Sequence, residues 1–365
     1  MKALFLSALM LIALPAADVG QYVCPPCDMP CDARVFDRPG ACPACGARLI
    51  EKRPGGAATD APVDERPKAA ILIFEGVQII DYTGPYEVFG QGGFDVYTVA
   101  ETKGALTTAM GMTVVPEFTF ADAPKPDVVI VPGGDISHPI GSAVTLAWVK
   151  GQIPGARHML SVCNGAFILA KAGLLDGLSA TTFYRAIDTL RVEAPKTRVV
   201  SDRRFVDNGA IITSAGLSSG IDGALHVVSK MLGQGRAQAV ALHMEYDWRP
   251  ESGYARAALA DRLIRNIDLG DIGQVTVLRT EGSTDRWDIA ASVRSDLRAA
   301  DLMEKVESAL ASGQWTRIKA DKTPTGMVSA WRLTEPGNVT WNGRLSIETD
   351  PAHSNQLMMT MNITR

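Results

Sequence analysis

The 365-residue chain lacks any run of basic residues, and its net charge is only −4. Proteins that capture nucleic acid or anionic membranes by electrostatic attraction cluster Lys and Arg on one surface, so both classes are disfavoured. The apolar stretch Ala3 to Leu14 is shorter than the about 20 residues that a membrane-spanning helix needs. The sequence therefore predicts no nucleic-acid partner and no stable membrane span after processing.

The first residues have the order of a secretory signal. Lys2 precedes the apolar stretch, and the small residues Ala16 and Ala17 follow it. No cysteine stands at the expected cleavage site, which disfavours a lipoprotein, and a buried first helix is the alternative interpretation. We expect residues 1–17 to be a signal peptide and the mature protein to be periplasmic or secreted.

Cysteine is scarce outside one short segment. Five of the six cysteines lie between Cys24 and Cys45, where the pairs Cys24/Cys27 and Cys42/Cys45 are separated by 14 residues. This spacing is typical of a ribbon in which four thiolates hold one ion at about 2.3 Å. We expect residues 18–52 to form such a ribbon, and disulfides in an oxidising compartment are the alternative. Cys31 is a fifth sulfur that a four-ligand site does not need.

Both ends of this segment, "YVCPPCDMPC" and "GACPACGARL", resemble the short heavy-metal-binding modules. The internal Met-His of those modules is missing, and Ala47 stands where their second Met would be. The departure disfavours copper and leaves zinc as the expected metal.

Three further regions follow the ribbon. Residues 53–67 are rich in Pro, Gly and charge and are predicted to be a linker. Between 68 and 250, short apolar runs such as "AAILIF" and "DVVIVPGG" alternate with helical stretches, which predicts a doubly wound α/β parallel sheet. Residues 251–267 are predicted to be a connecting amphipathic helix. Residues 268–365 are predicted to be a small α+β domain, to which no function is assigned.

The sixth cysteine, Cys163, lies in "LSVCNGAFILA", between an apolar run and a helical stretch. A nucleophile elbow is a sharp strand-to-helix turn that needs small residues two before and two after its nucleophile, and Ser161 and Gly165 meet that need. The following helix N-terminus is expected to lower the pKa of the thiol, and the backbone N–H of Asn164 to meet developing charge. The alternative is a small buried apolar residue.

Two other groups are expected at carboxyl ends of strands, where α/β sheets bind ligands. Glu75 and Asp81 are placed in a loop before a helix starting at Gly84-Pro85, as candidate proton donors or acceptors. Turn or cap chemistry is their alternative role. In "VPGGD", Gly133 and Gly134 would let backbone N–H groups approach a substrate, although simple turns explain most such pairs.

Taken in order, "ILIFEGVQIIDYTGPYEVF", "PDVVIVPGG", "SVCNGAFILAKAGLLDG", "ATTFYRAIDTL" and "RFVDNGAIITSAGLSSGIDGALHVV" resemble the ThiJ/PfpI superfamily. This is the class I glutamine-amidotransferase-like group with a flavodoxin-like fold, and the similar branch holds isonitrile hydratase and the sensor halves of AraC-type regulators. The resemblance implies that Cys163 is the nucleophile, Asp81 its carboxyl partner, and Gly134 and Asn164 the donors of oxyanion-binding amides. It implies a small-molecule substrate or ligand, no cofactor in this domain, and compatibility with a homodimer.

Two positions depart from the family pattern. Asn164 stands where the hydratase pattern has Thr, and Phe183-Tyr184 replaces a His-aromatic pair, so no Cys-His dyad is expected. Three functions follow as hypotheses: a periplasmic cysteine-dependent hydratase or hydrolase of a small molecule, a non-catalytic ligand- or metal-sensing envelope protein, and a carbonyl or redox-stress protein.

Overall fold

The computed structural model describes residues 21–24, 31, 33–44, 49–51, 66–251, 254–264, 267–350, 353 and 355–365. The expected signal peptide and residues 53–65 of the expected linker lie outside these ranges, as do Cys27 and Cys45. No helix within these ranges is long and apolar enough to cross a bilayer.

The N-terminal module is a three-stranded antiparallel sheet. Its central strand β1 (Tyr22–Val23) pairs with β2 (Val35–Phe36) on one side and β3 (Ile50–Glu51) on the other. Beside this sheet, a small buried cluster is made of Cys24, Cys31, Cys42 and Leu49. Three of its four members are cysteines, so the module has very little apolar material with which to stabilise itself.

A seven-stranded sheet forms the centre of the α/β domain. The helices and strands of the domain, in chain order, are β4 (Lys68–Leu72), α1 (Ile79–Gln91), β5 (Asp95–Ala100), β6 (Leu106–Thr107), β7 (Thr113–Val114), β8 (Phe118–Thr119), β9 (Val128–Val131), α2 (Ser137–Gly141), α3 (Ala143–Gln152), β10 (His158–Val162), α4 (Gly165–Lys171), β11 (Ser179–Ala180), α5 (Ile187–Glu193), β12 (Arg198–Val199), β13 (Phe205–Asp207), β14 (Ile211–Ser214), α6 (Ser219–Leu232) and α7 (Gln234–His243). The sheet order is β13-β14-β10-β9-β4-β5-β8, and every pairing except β13 with β14 is parallel.

The central strands are covered on both faces, which explains their nearly continuous apolar sequences. All four residues of β9 are fully buried, and β10 is buried from Met159 to Val162. The predicted doubly wound α/β sheet is confirmed.

Helix α1 begins earlier than expected. The Gly84-Pro85 pair suggested a helix start because Pro is favoured in the first turn, but α1 begins at Ile79 and contains Pro85 in its interior. Asp81 consequently lies in the first turn of the helix rather than in the preceding loop. Packing favours this boundary, since Asp81 and Tyr82, which precede Gly84, are already buried.

The predicted connecting helix is wrong in the described part of 251–267. The chain instead makes two short 3-10 turns, Arg256–Ala258 and Ala260–Leu263, separated by Leu259 in an extended conformation. Leu259 and Ala260 are buried against the C-terminal core. A bidentate ion pair joins Arg256 to Asp261 at 2.6 and 2.5 Å, and it spans the interruption.

The C-terminal domain is one antiparallel sheet with one helix, as the α+β prediction required. Its elements are β15 (Gln274–Gly282), β16 (Arg286–Arg294), α8 (Ala299–Ser312), β17 (Thr316–Lys322), β18 (Gly326–Glu335), β19 (Val339–Thr349) and β20 (Gln356–Thr364), with sheet order β15-β16-β20-β19-β18-β17. The buried face of α8, formed by Leu302, Met303, Val306 and Leu310, belongs to the same core as Trp331 and Trp341 of the sheet.

Candidate active site at the Cys163 elbow

Cys163 lies on the sharp bend between β10 and α4. Its φ is 59°, in the left-handed region that non-glycine residues rarely adopt. A Cβ on Gly165 would lie 2.1 Å from the carbonyl oxygen of Val131, so only glycine fits there. Ser161, on the other flank, is fully buried. The bend therefore has the elbow geometry that the small flanking residues predicted.

The strained backbone of Cys163 is held from two directions. Its N–H donates to the carbonyl oxygens of Ser214 and Ala215, each at 3.2 Å. Its carbonyl oxygen accepts a hydrogen bond from the buried Thr182 hydroxyl at 2.8 Å. Such neighbours are what allow a costly backbone conformation to persist. Thr182 belongs to the "ATT" segment, but its hydrogen bond to the elbow could not be read from the sequence.

Asp81 is the titratable side chain at the thiol. It is fully buried, and its carboxylate accepts a hydrogen bond from the Cys163 thiol. The Gly133 N–H donates to its Oδ2 and the Leu217 N–H to its Oδ1, both at 3.2 Å. The first turn of α1 thus brings this carboxyl group to the elbow, as the sequence predicted.

Burial raises the pKa of Asp81 from 3.8 to about 6, although the hydrogen bonds from Cys163, Gly133 and Leu217 oppose the shift. The same burial raises the pKa of the Cys163 thiol, and the neighbouring charge of Asp81 raises it further. The expected lowering of the thiol pKa by the helix N-terminus is therefore wrong. The N–H of Asn164 does act in that direction, but desolvation and the carboxylate outweigh it. The resting pair at neutral pH is a thiol donating to a carboxylate.

Glycine is required where the "VPGGD" loop meets this pair. A Cβ on Gly133 would lie 2.1 Å from Asn164 Oδ1 and 2.9 Å from both Asp81 Oδ2 and Cys163 Cβ. The side chain of Asn164 clamps Gly134, the residue after Gly133, through two hydrogen bonds. Its Oδ1 accepts from the Gly134 N–H at 2.8 Å, and its Nδ2 donates to the Gly134 carbonyl at 2.9 Å.

This clamp changes the expected oxyanion site. The N–H of Gly134 is bound to Asn164, and that of Gly133 is bound to Asp81. Neither is directed at a substrate while these bonds hold, so the expectation for the Gly134 N–H is corrected. The backbone N–H groups of Asn164 and Leu217 are the ones that contact the Cys163 sulfur. Leu217, whose φ is 57°, was missed because an exposed leucine gives no sequence signal for a backbone donor.

Glu75 is the second candidate carboxyl group, and no histidine was expected to activate Cys163. Glu75 is exposed and accepts a hydrogen bond from the Thr107 N–H at 2.8 Å, which is turn chemistry. His138 and His243 are exposed. His226 is hydrogen-bonded to Asp207 at 2.9 Å. At position 183, Phe183 packs over Gly216, since a Cβ on that glycine would lie 2.4 Å from the ring.

The N-terminal cysteines form a second candidate site. The sulfur atoms of Cys24, Cys31 and Cys42 lie within 4.8 Å of one another, and all three residues are buried. Three converging buried thiols fit a thiolate-binding metal such as zinc. Cys31, which the four-ligand expectation treated as a spare sulfur, belongs to this group. Cys27 and Cys45 lie outside the described residues.

Comparison with known proteins identifies the family of the α/β domain. Residues 67–230 match the DJ-1/PfpI family. An isonitrile hydratase of Pseudomonas putida is 37% identical over 180 residues, which cover 48% of this chain and 76% of that protein. The chain belongs to the DJ-1/PfpI family.

Two further similarities cover the same region. The HTH-type transcriptional regulator GbdR of Pseudomonas aeruginosa is 27% identical over 157 residues, or 43% of this chain and 42% of the regulator. A crystal structure of a ThiJ/PfpI family protein from Pseudomonas syringae has 30% identity and a TM-score of 0.48, and covers 55% of this chain and 84% of that one.

Proposed function

We propose that this protein is a cysteine-dependent hydratase that converts small isonitriles to N-substituted formamides. The observation that carries the proposal is the buried Cys163–Asp81 pair, in which one proton is shared between a sulfur nucleophile and a carboxyl group whose pKa is about 6. The 37% identity to an isonitrile hydratase supports the choice of substrate class.

In the first half of the reaction, Asp81 accepts the thiol proton as the Cys163 sulfur bonds to the terminal carbon of R–NC. The carboxyl group then returns the proton to that carbon, giving the thioimidate R–N=CH–S–Cys. A carboxyl group with a pKa near 6 suits both proton transfers near neutral pH. The thiol therefore need not be ionised before substrate binds.

In the second half, water adds to the thioimidate carbon, and Asp81 accepts one proton of the water and passes it to the nitrogen, giving R–NH–CH(OH)–S–Cys. The carbon–sulfur bond then breaks as the hydroxyl group becomes the formyl carbonyl. Asp81 carries the hydroxyl proton to the sulfur, which restores the Cys163 thiol, and the product R–NH–CHO leaves. One water is consumed for each isonitrile, and no electrons are gained or lost.

The direct test uses simple alkyl and aryl isonitriles and follows formamide formation by proton NMR. We expect product with the wild type and none with Cys163→Ala or Asp81→Asn. Asp207→Asn, which changes a carboxyl group on the distant edge strand β13, is the matched control and should retain activity. Formamide production by Cys163→Ala, or its absence from the wild type across the panel, would contradict the proposal.

A ligand-sensing role is the second candidate, and the burial of Cys163, only 7% exposed, favours it. A buried protonated thiol can line a binding pocket without reacting. The similarity to a transcriptional regulator supports this alternative. Saturable isonitrile binding by the wild type without formamide production would favour sensing over catalysis. A carbonyl or redox-stress role is the third candidate, supported by similarity to a protein named a deglycase.

For the N-terminal module, we propose a structural zinc site that includes Cys24, Cys31 and Cys42, in a protein exported to the periplasm. Bound zinc would cross-link the small module, whose buried cluster is mostly cysteine. Elemental analysis and thiol titration of the purified protein test the first part, because disulfides would leave neither metal nor reactive thiols. Fractionation of cells that express the full chain tests the second.

A further inference from the structure

A cleft lies between the α/β domain and the C-terminal domain, apart from the cysteine elbow. The described residues enclose a volume of about 530 Å³, within the usual range for small-molecule sites. The α/β wall is formed mainly by residues 184–191, and the opposite wall by residues 257–263 with Glu335 at the end of β18. Neither domain alone would form this cleft.

Contacts across the domain boundary hold the two walls together. The guanidinium group of Arg256 lies 4.7 Å from the centre of the Tyr184 ring and 5.7 Å from that of Trp287. The same group forms the bidentate ion pair with Asp261. A cation that lies over two aromatic rings and is fixed by a carboxylate is a specific arrangement, so the cleft is a defined feature of the fold.

The lining has an excess of positive charge, with three arginines against two carboxylates. Glu335 is already bound, because its Oε2 accepts from both Arg262 and the Trp341 indole at 2.7 Å. Asp188 pairs with Arg191 and has an 85% exposed side chain. Neither carboxylate is therefore placed to neutralise the remaining arginine, Arg185.

Arg185 and Arg262 both offer donors that lack an acceptor. The Nε–H of Arg185 donates a hydrogen bond to the Tyr184 hydroxyl at 3.0 Å. No carboxylate in the described ranges pairs with Arg185. Nη1 of Arg262 is buried and has no hydrogen-bond partner among the described residues. A buried guanidinium donor without an acceptor is costly, and an anion bound beside the 30% exposed Arg262 side chain would offset the charge of that group.

We infer that this cleft binds a small organic monoanion through a carboxylate group. The carboxylate would lie against Arg185 and Arg262, where planar guanidinium groups can bind it in bidentate fashion. Ile187, Leu263 and the Tyr184 ring would contact the apolar part of the ligand. One negative charge balances the excess charge of the lining, so a monoanion is favoured over a multivalent anion.

The test is calorimetric titration of the full chain with benzoate, and with benzamide as an uncharged ligand of nearly the same shape. We expect saturable binding of benzoate that weakens with added salt, and no comparable binding of benzamide. Arg185→Gln should weaken benzoate binding by about tenfold or more, as expected for loss of one charge-assisted hydrogen bond. Arg185→Lys, which keeps the charge, should lose less.

Two further variants locate the site. Arg344→Gln removes an exposed arginine of β19 that does not line the cleft, and it should bind benzoate like the wild type. Cys163→Ala should also bind normally, which separates this inference from the proposed catalysis. The inference is overturned if the full chain shows no saturable benzoate binding, if Arg185→Gln binds as tightly as the wild type, or if binding depends on Cys163 instead.

Discussion

Replacing Asp81 by asparagine tests the electrostatics of the elbow through stability rather than activity. The folded protein raises the pKa of this carboxyl from 3.8 to about 6, which corresponds to about 3 kcal/mol at one unit per 1.36 kcal/mol. Because the shift is upward, the folded state binds the proton more tightly than the unfolded state. The favourable contribution is complete below pH 3.8 and is lost as the pH rises to about 6.

We expect the unfolding free energy to depend on pH differently in the wild type and in Asp81→Asn. Relative to Asp81→Asn, the wild type should lose about 3 kcal/mol of unfolding free energy between about pH 4 and pH 7. The hydrogen bonds that asparagine makes or loses to Gly133 and Leu217 add a constant offset, but that offset does not vary with pH in this range. The slope therefore isolates the titration of Asp81.

Hydrogen exchange of the central strands is the suitable assay, since two folded domains make a single two-state denaturation unsafe. All of β9 and residues 159–162 of β10 are buried, so peptides covering these residues exchange only when the α/β domain opens. These peptides have the same sequence in both variants, so their intrinsic exchange rates cancel at each pH. If the unfolding free energies of the wild type and of Asp81→Asn changed equally from pH 4 to pH 7, the raised pKa of Asp81 would be refuted.

Asp207→Asn is a control in which the change of stability with pH is expected to have the opposite sign. Burial raises the pKa of Asp207, but hydrogen bonds from Lys230 and His226 lower it more, so the net shift is downward. Its contribution is present above pH 3.8 and is lost as the pH falls through the lower folded value. The wild type should therefore lose stability toward acid relative to Asp207→Asn, the reverse of the Asp81 comparison.

Three other results are expected. Alkylation of Cys163 by iodoacetamide at pH 7 should be slower than alkylation of a model thiol, because burial and the Asp81 carboxylate disfavour the thiolate. The Asp81→Asn variant should be alkylated faster than the wild type. Labelling of the wild type faster than the model thiol would contradict the raised pKa of Cys163. Asn164→Ala should destabilise the α/β domain by about 1–3 kcal/mol, measured by hydrogen exchange of the β9 and β10 peptides, since two bonds to the Gly134 backbone are lost. Unchanged exchange of these peptides would show that the clamp contributes nothing. Cys31→Ser should lower the zinc content of the purified protein, and full retention of metal would exclude Cys31 as a ligand.

The amino-acid sequence was sufficient for the parts of this protein that depend on short-range patterns. Alternating apolar runs predicted the α/β sheet because a parallel strand covered on both faces must be apolar along its length. Ser161 and Gly165 predicted the elbow because a sharp strand-to-helix turn has room only for small flanks. The Cys-x-x-Cys spacing pointed to a sulfur site, and Cys24 and Cys42, one cysteine of each pair, lie in the observed cluster.

Only the tertiary structure could decide the chemistry of the elbow and the cleft. The pKa of Cys163 depends on how much water is excluded and on the distance to Asp81, 82 positions earlier in the chain. The Gly134 N–H is bound by the side chain of Asn164, a residue that was expected to act through its backbone N–H. Cys31 joins Cys24 and Cys42 because of the path that the chain takes between them. The cleft at Arg185 exists only where two separately folded units meet. These properties arise from contacts between distant segments, and local sequence patterns carry no record of them.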